Sequence, residues 1–190
     1  MVGVHFDATS LEMLAVAVLA VAGMLGCSRS AAPEAATRFA LGSAFADGAT
    51  IPVKYTADGE NISPPLTWSG APAATKEFAL IVDDPDAPAG TWDHWLIWRI
   101  PAGATELKEG LSAHRKGVAP PEMVQGKNSW GHNGYEGPEP PAGKPHRYYF
   151  RLYALDAPLD IAGGADKAAL IKAMNGHILA EGELMGKYGK

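Results

Sequence analysis

The sequence has little of several things that define particular protein classes. It contains one cysteine, Cys27, so it cannot form an intramolecular disulfide. It has no run of Lys and Arg, and its formal net charge is −5 at pH 7. These two features argue against a nucleic-acid binder and against a polybasic membrane patch. The apolar stretch Met13–Met24 is shorter than the roughly 20 residues that a membrane-spanning helix requires.

Signatures of common hydrolases are also missing. The sequence has no Gly-x-Ser-x-Gly nucleophile elbow and no His-Glu-x-x-His metal motif. His94 and His146 could join an Asp in a Zn or Mn site, but no firm third ligand or general base accompanies them. We therefore predict no catalytic residue, no metal and no cofactor, and keep a metal-dependent hydrolase as the weaker alternative.

What the chain does contain predicts a mostly β fold. Gly 22 and Pro 15 in 190 residues suit a turn-rich β protein better than a helical bundle. The one clear helix is Asp166–Asn175, with Asp166 as its N-cap and Gly176 after its end. Apolar runs and period-two alternation predict strands at Val53–Tyr55, Leu66–Trp68, Phe78–Val82, Asp93–Ile100, His146–Leu155 and Ile178–Tyr188. Such an order predicts an antiparallel β sandwich with a short helix near the C-terminus.

An acidic turn, Asp84–Pro88, follows one of these strands. Asp side chains accept backbone N–H bonds in turns, and each Pro fixes φ, so the segment is typical of a rigid hairpin corner. Alternatively, one Asp faces inward and hydrogen-bonds an imidazole, which favours the charged form of that ring. The residues alone leave both interpretations open.

Two histidines lie on strands close to polar turns. His146 and Tyr148 share one strand face, and His94 begins another alternating run. Each histidine alone is more typical of a hydrogen-bonded structural residue. An imidazole pair, carboxylates and a phenol in one pocket would suit a small anion such as phosphate, without an obvious nucleophile.

The same segments resemble a known family. The DPDAP turn, Asp93–Trp95, the GKPHRYYF run from Gly143 to Phe150, and the tract from Gln125 to Pro138 resemble the phosphatidylethanolamine-binding proteins, in particular their bacterial, Raf-kinase-inhibitor-like branch. The resemblance covers about Phe39 to Tyr188. It implies the same β-sandwich fold and a homodimer.

The resemblance also implies a site for a phosphorylated small molecule or a phospholipid headgroup. Asp84 would line the anion site, Asp86 would support the turn, and the bond Ala87–Pro88 would be cis. A Gly-rich loop at Gly137 would turn backbone N–H groups toward the anion. The predicted ligand-binding residues are Asp84, Asp86, His94, Gly137, Pro138, His146 and Tyr148. Glu139 stands where bacterial relatives often have Cys, so its carboxylate would repel phosphate or point outward.

The N-terminus predicts an exported lipoprotein. Leu25–Ser28 resembles a bacterial lipobox in which Cys27 is lipidated, which would anchor the protein in a membrane facing the periplasm or the cell exterior. Met24 and the absence of Lys and Arg from residues 1–12 depart from that pattern, and an uncleaved apolar N-terminus is the alternative. The predicted organisation is a signal segment at 1–27, a flexible linker at 28–37 and the folded domain at 38–190.

These features favour a non-catalytic binding protein. The alternative is a protein-interaction regulator of the kinase- or protease-inhibitor type, with the pocket rim as its contact surface. An extracytoplasmic location would argue against a cytosolic kinase target. The other histidines, which have no partner at motif spacing, are predicted to face solvent: His5, His114, His132 and His177.

Overall fold

The computed structural model describes residues 1–3, 37–112 and 120–190. The chain divides into two units, Met1–Glu34 and Ala35–Lys190, and the fold below is that of the second. Among the described residues, no helix is long and apolar enough to cross a membrane. Cys27 and most of the predicted linker lie outside the described residues, as do His5 and His114.

Two sheets and one short helix form the domain. The strands are β1 Thr37–Arg38, β2 Ala40–Ser43, β3 Leu66–Ser69, β4 Glu77–Asp84, β5 Trp92–Pro101, β6 Glu106–Leu107, β7 Val124–Gln125, β8 His146–Leu155 and β9 Ile178–Tyr188, with the helix α1 Lys167–Met174 between β8 and β9. The larger sheet has the order β1-β9-β8-β4-β5-β7, and the smaller one has the order β2-β3-β6. Among the strands of the described residues, β1 and β9 pair in parallel and the other strand pairings are antiparallel. The predicted fold class is confirmed.

The larger sheet is covered on both faces. On one side, aromatic and aliphatic residues of β4, β5 and β8 pack against those of the smaller sheet, with Trp68 against Phe78 as an example. On the other side, Ile81 and Trp98 pack under the helix residues Leu170 and Met174. This double coverage explains why every residue of β4 is buried.

Most helices and strands begin and end where the local sequence predicts. The helix begins after Asp166, whose side chain accepts a hydrogen bond from the Ala169 N–H at 2.9 Å, and it ends before Gly176, which has φ +83°. Strand β8 has the predicted bounds, and so has β9. Strand β4 stops at Asp84 because Pro85 has no N–H to continue the ladder.

Two local predictions are wrong. Val53–Tyr55 is a 3₁₀ turn rather than a strand, and the N–H of Thr56 donates to the Val53 carbonyl at 3.0 Å. A three-residue stretch is too short for its hydrophobic pattern to distinguish a strand from a turn. The linker prediction also extends one residue too far, because Thr37 pairs with Ala180 in β1.

Candidate functional site

The candidate site lies where three neighbouring strands meet. The order β8-β4-β5 and the antiparallel pairing bring the end of β4 beside the beginnings of β5 and β8. Asp84 ends β4, while His94 and His146 lie within or at the start of the other two strands. Residues far apart in the sequence are therefore collected at one edge of the larger sheet.

A cavity of about 370 Å³ opens at this edge. It contains four of the predicted site residues: Asp84, His94, His146 and Tyr148. The other residues that line it are Ala87, Pro88, Ala89, Trp92, Trp130, Glu139, Pro140 and Pro141. The two histidines thus share one cavity rather than opposite faces of the sheet.

His146 and Asp84 form a buried pair. The Nδ1 of His146 lies 2.7 Å from the Asp84 Oδ2, and both side chains are largely inaccessible to solvent. Because a carboxylate only accepts hydrogen bonds, this contact keeps a proton on Nδ1. The other Asp84 oxygen accepts the N–H of Asp86 at 2.8 Å, which fixes the turn around the carboxylate. A second proton on His146 therefore goes to Nε2 and gives the ring a positive charge.

His94 has a different environment. Its Nδ1 lies 2.6 Å from the backbone oxygen of Glu136, so Nδ1 carries the proton and donates. Burial lowers the pKa of His94 to about 4. The ring is therefore neutral at physiological pH, and its Nε2 can only accept a hydrogen bond.

Tyr148 provides an unused donor. Its side chain is 1% exposed. Within the described part of the chain its hydroxyl makes no hydrogen bond of standard geometry, although the nearby Asp84 carboxylate interacts with it. Burial and the negative charge of Asp84 raise the pKa of Tyr148, so the phenol keeps its proton. Its ring packs edge-on against His94, with 5.2 Å between centroids. A buried hydroxyl without a hydrogen bond of standard geometry carries a desolvation cost that a bound ligand would relieve.

The cavity also has an aromatic wall. The Trp130 ring packs edge-on against His94 at 4.9 Å and against Trp92 at 5.5 Å between centroids. Asn128 shapes this loop, because its Oδ1 accepts the N–H groups of Trp130 at 3.1 Å and His132 at 3.0 Å. Sequence reasoning did not select Trp130. The signal was a large aromatic residue between polar turn residues in a loop.

Asp86 lies outside the cavity lining. Its carboxylate accepts the backbone N–H of Arg147 at 2.9 Å and two guanidinium N–H groups at 2.8 and 2.7 Å. The Arg147 guanidinium lowers the pKa of Asp86 to about 2. Asp86 therefore ties the acidic turn to the start of β8 rather than facing a ligand.

Gly137 and Pro138 also lie behind the lining residues. The N–H of Gly137 donates to Asn61 Oδ1 at 2.7 Å, so the predicted nest is not found at this residue. The position still requires glycine, because a Cβ would lie 2.5 Å from the Tyr55 carbonyl oxygen. Pro138 accepts the N–H of Ala57 at 3.0 Å. These contacts anchor the loop that continues into the cavity-lining Glu139.

The geometry also bears on four further expectations. No cis peptide bond occurs among the described residues, so Ala87–Pro88 is trans, the isomer that X-Pro bonds intrinsically favour. His132 is half-buried with Nδ1 3.7 Å from Glu136 Oε2, so its predicted exposure is wrong. His177 is exposed as predicted, and it bonds Asp156 at 2.8 Å. Glu139 lines the cavity but remains exposed, which places it at the rim.

An ionic network lies behind the site. Lys167 on α1 bonds Asp83 and also Asp93, the latter at 2.9 Å. Arg151 bonds the other Asp83 oxygen at 2.9 Å. Asp83 and Asp93 immediately precede Asp84 and His94 in the sequence, and side chains alternate along a strand. The network therefore holds the two strand ends together from the opposite face of the sheet.

The described residues include no group of three or more His, Cys, Asp or Glu side chains arranged to hold a metal ion. In the cavity, the Asp84 carboxylate and the His146 imidazole are hydrogen-bonded to each other.

Comparison with known proteins identifies the class to which this fold and cavity belong. Residues 42–189 match the family described as phosphatidylethanolamine-binding protein. A UPF0098 protein of Methanothermobacter thermautotrophicus is 52% identical over 145 residues, which are 76% of this chain and 94% of that protein. A UPF0098 protein of Pyrococcus horikoshii is 41% identical over 99% of this chain and 93% of its own length. The chain belongs to the phosphatidylethanolamine-binding protein family.

Solved structures agree with this assignment. The crystal structure of Escherichia coli YbcL has a TM-score of 0.74 at 34% identity and covers 81% of this chain and 99% of that one. The crystal structure of a phosphatidylethanolamine-binding protein homologue from Chlamydia trachomatis has a TM-score of 0.73 at 42% identity. The match covers 82% of this chain and 99% of that one. Within the family, the chain falls in the YbcL-like branch of bacterial and archaeal proteins. The family resemblance of the sequence motifs is therefore confirmed.

Proposed function

We propose that the cavity binds a phosphate-bearing small molecule or a phospholipid headgroup and does not transform it. The observation that carries the proposal is the buried Tyr148 hydroxyl, which makes no hydrogen bond of standard geometry in the described part of the chain and lies in a cavity with the His146–Asp84 pair. A phosphoryl oxygen would accept from this hydroxyl and would offset the cost of burying it.

His146 provides a second hydrogen-bond donor. With Nδ1–H already directed at Asp84, a proton added at Nε2 makes the ring a cationic donor beside Tyr148. His94 stays neutral, and its Nε2 accepts from a P–OH or another hydroxyl of the ligand. This combination of two donors and one acceptor suits a phosphate group that keeps a proton or carries a neighbouring hydroxyl.

The rim favours a ligand with a cationic group as well. Glu139 lies at the cavity mouth, and the rings of Trp92 and Trp130 form its aromatic wall. An ammonium group is attracted by a carboxylate and by aromatic faces. The rim carboxylate, which would repel an isolated phosphate, thus suits a zwitterion such as phosphoethanolamine.

Binding without catalysis is supported by the composition of the lining. The cavity-lining residues include no Ser, Thr, Cys or Lys that could act as a nucleophile. The Asp84 carboxylate accepts from His146 and from the Asp86 N–H, so it is held as a structural partner of the imidazole. We therefore assign the site the role of recognition.

The proposed location is the outer face of a membrane. It depends on lipidation of Cys27 in the Leu25–Ser28 segment, which would tether the binding domain next to phospholipid headgroups. Homodimer formation, which the family resemblance implies, is part of the same proposal.

Calorimetric titration of Tyr148→Phe with phosphoethanolamine tests the function. We expect a loss of affinity of about 1.5–3 kcal/mol, since a hydrogen bond to a charged group is removed. We also expect little change in thermal stability, because the hydroxyl that is removed is buried and makes no hydrogen bond of standard geometry within the described part of the chain. Tyr149→Phe, on the opposite strand face, is the matched control. Equal affinity of wild type and Tyr148→Phe would place the ligand elsewhere.

A further inference from the structure

A second cavity of about 530 Å³ adjoins the first one. Its lining residues are Asp86, Lys144, Pro145, His146, Arg147 and Lys187, and we call it the basic cleft. His146 lines both cavities, so the two share a wall. The basic cleft concentrates positive charge on a protein whose formal net charge is −5.

The acidic residue of the cleft is already neutralised. Asp86 accepts three hydrogen bonds from Arg147, and the two form an ion pair of 2.7 Å. The Asp86 carboxylate in turn raises the pKa of Arg147. What remains is the charge of Lys144 and Lys187, both exposed and without an ion-pair partner among the residues described.

The fold brings the two lysines to the same cleft. In the antiparallel ladder of β8 and β9, Lys187 lies directly opposite Arg147, whose charge is balanced by Asp86. Gly189 brings the chain after β9 against the loop that carries Lys144, since a Cβ there would lie 2.8 Å from the Pro145 Cα. A bound anion would balance the charge of Lys144 and Lys187.

We infer that the basic cleft is a second anion subsite, which takes the second phosphate group of a ligand whose first phosphate occupies the Tyr148 cavity. This inference rests on the proposed function and deepens it. The ligand class is then a molecule with two phosphoryl groups, or a phospholipid headgroup together with the phosphate of a neighbouring anionic lipid. Both sources present the same chemistry to Lys144 and Lys187.

Calorimetry with soluble phosphates separates this inference from the proposed function. Ethyl phosphate reports on the first cavity alone, and straight-chain diol bisphosphates of increasing length report on both subsites. We expect at least one bisphosphate to bind about five- to tenfold more tightly than ethyl phosphate at low salt, with the excess reduced as salt is raised. The double variant Lys144→Gln/Lys187→Gln should lose the excess and keep its affinity for ethyl phosphate.

The matched control is Lys76→Gln/Lys172→Gln, which removes the same charge from exposed positions outside the cleft. Vesicles of phosphatidylcholine with and without phosphatidylglycerol, tested on the same variants, distinguish the lipid source from the soluble one. The subsite is supported if bisphosphates bind more tightly than ethyl phosphate, or anionic vesicles more tightly than neutral ones, and if this gain in affinity requires Lys144 and Lys187. No excess in either assay, or an excess that survives the double variant, would overturn it. If ethyl phosphate does not bind but bisphosphates or anionic vesicles bind in a way that depends on Lys144 and Lys187, the proposed function is contradicted and the basic cleft alone remains an anion site.

Discussion

The Nδ1 of His146 lies 2.7 Å from the Asp84 Oδ2, whereas the Nδ1 of His94 lies 2.6 Å from a backbone carbonyl oxygen. The two imidazoles share a cavity, but of the two only His146 is hydrogen-bonded to a carboxylate. This difference gives the two histidines separate roles: His146 is paired with an acidic side chain, and His94 is a neutral acceptor. The assignment leads to the first prediction.

His146→Gln should weaken ligand binding more than His94→Gln does, because it removes the cavity imidazole that is paired with Asp84. We expect a loss of about 1.5–3 kcal/mol for His146→Gln, the range of a hydrogen bond to a charged group. His94→Gln should cost less, because the glutamine side chain keeps a hydrogen-bond acceptor. The measurement is calorimetric titration of both variants with glycerophosphoethanolamine at pH 7. Equal losses for the two variants would contradict the separate roles given to the two histidines.

Glu139→Gln should weaken the binding of phosphoethanolamine relative to ethyl phosphate. The rim carboxylate attracts the ammonium group of the first ligand and repels the phosphate of both. We expect the ratio of the two affinities to change by about two- to fivefold, the range of an exposed ion pair. Competition binding with the two ligands provides the ratio. Equal changes for both ligands would show that Glu139 does not recognise the ammonium group.

The stability of the domain should fall as pH is lowered from 7 to 5. The pKa of His94 is about 4 in the folded protein, compared with 6.5 for the free side chain. Between these values the unfolded chain binds a proton that the folded protein does not, so acid favours unfolding. The loss from this residue is roughly 2 kcal/mol between pH 7 and pH 5.

His94→Gln isolates that contribution. Its amide can still donate to the Glu136 carbonyl but does not titrate. Urea denaturation at both pH values should show a smaller pH dependence for the variant than for the wild type. The Asp86 carboxyl has a pKa of about 2, so it changes the free energy of unfolding only at pH values below this range. If the free energy of unfolding changes equally with pH in the variant and the wild type, His94 is not buried in its neutral form.

Lys167→Met should reduce both stability and ligand affinity. The change leaves Asp83 and Asp93 facing each other without their shared cation, behind the cavity-lining Asp84 and His94. We expect a loss of about 2–3 kcal/mol in the free energy of unfolding, at the lower end for a broken buried pair because the lysine is partly exposed. Lys172→Met, on the same helix, is the control.

The positioning role of Lys167 has its own readout. Lys167→Arg should restore ligand affinity because it restores the cation, even where it does not restore full stability. An affinity that Lys167→Met leaves unchanged, measured where the variant is fully folded, would limit Lys167 to a structural role.

Cys27→Ser should abolish lipid labelling of the protein and release it from the membrane. Globomycin should lead to accumulation of a larger precursor, because the inhibitor blocks signal-peptide cleavage at a lipidated cysteine. Labelling with radioactive palmitate and fractionation of cells measure both effects. A wild-type protein that is soluble and unlabelled would show that the lipobox prediction is wrong.

Much of the fold was predictable because its signals are local. The alternation in β8 and β9, the Asp166 cap and the Pro85 stop act within a few residues of the elements that they define. The motifs also identified four residues of the cavity, Asp84, His94, His146 and Tyr148. Sequence periodicity places them on strands, and the family resemblance brings them together.

The sequence by itself thus determined which residue types meet at the sheet edge. Only the tertiary structure decided their states, because the deciding contacts join distant residues. His94 is made neutral by burial and donates to a carbonyl 42 residues away, whereas His146 meets a carboxylate 62 residues away. Arg147 holds the Asp86 carboxylate away from the cavity. Trp130 lines the cavity from a loop whose sequence has no periodicity. Local patterns encode which residues are apolar and where chains turn, whereas solvation and long-range pairing depend on how the strands pack.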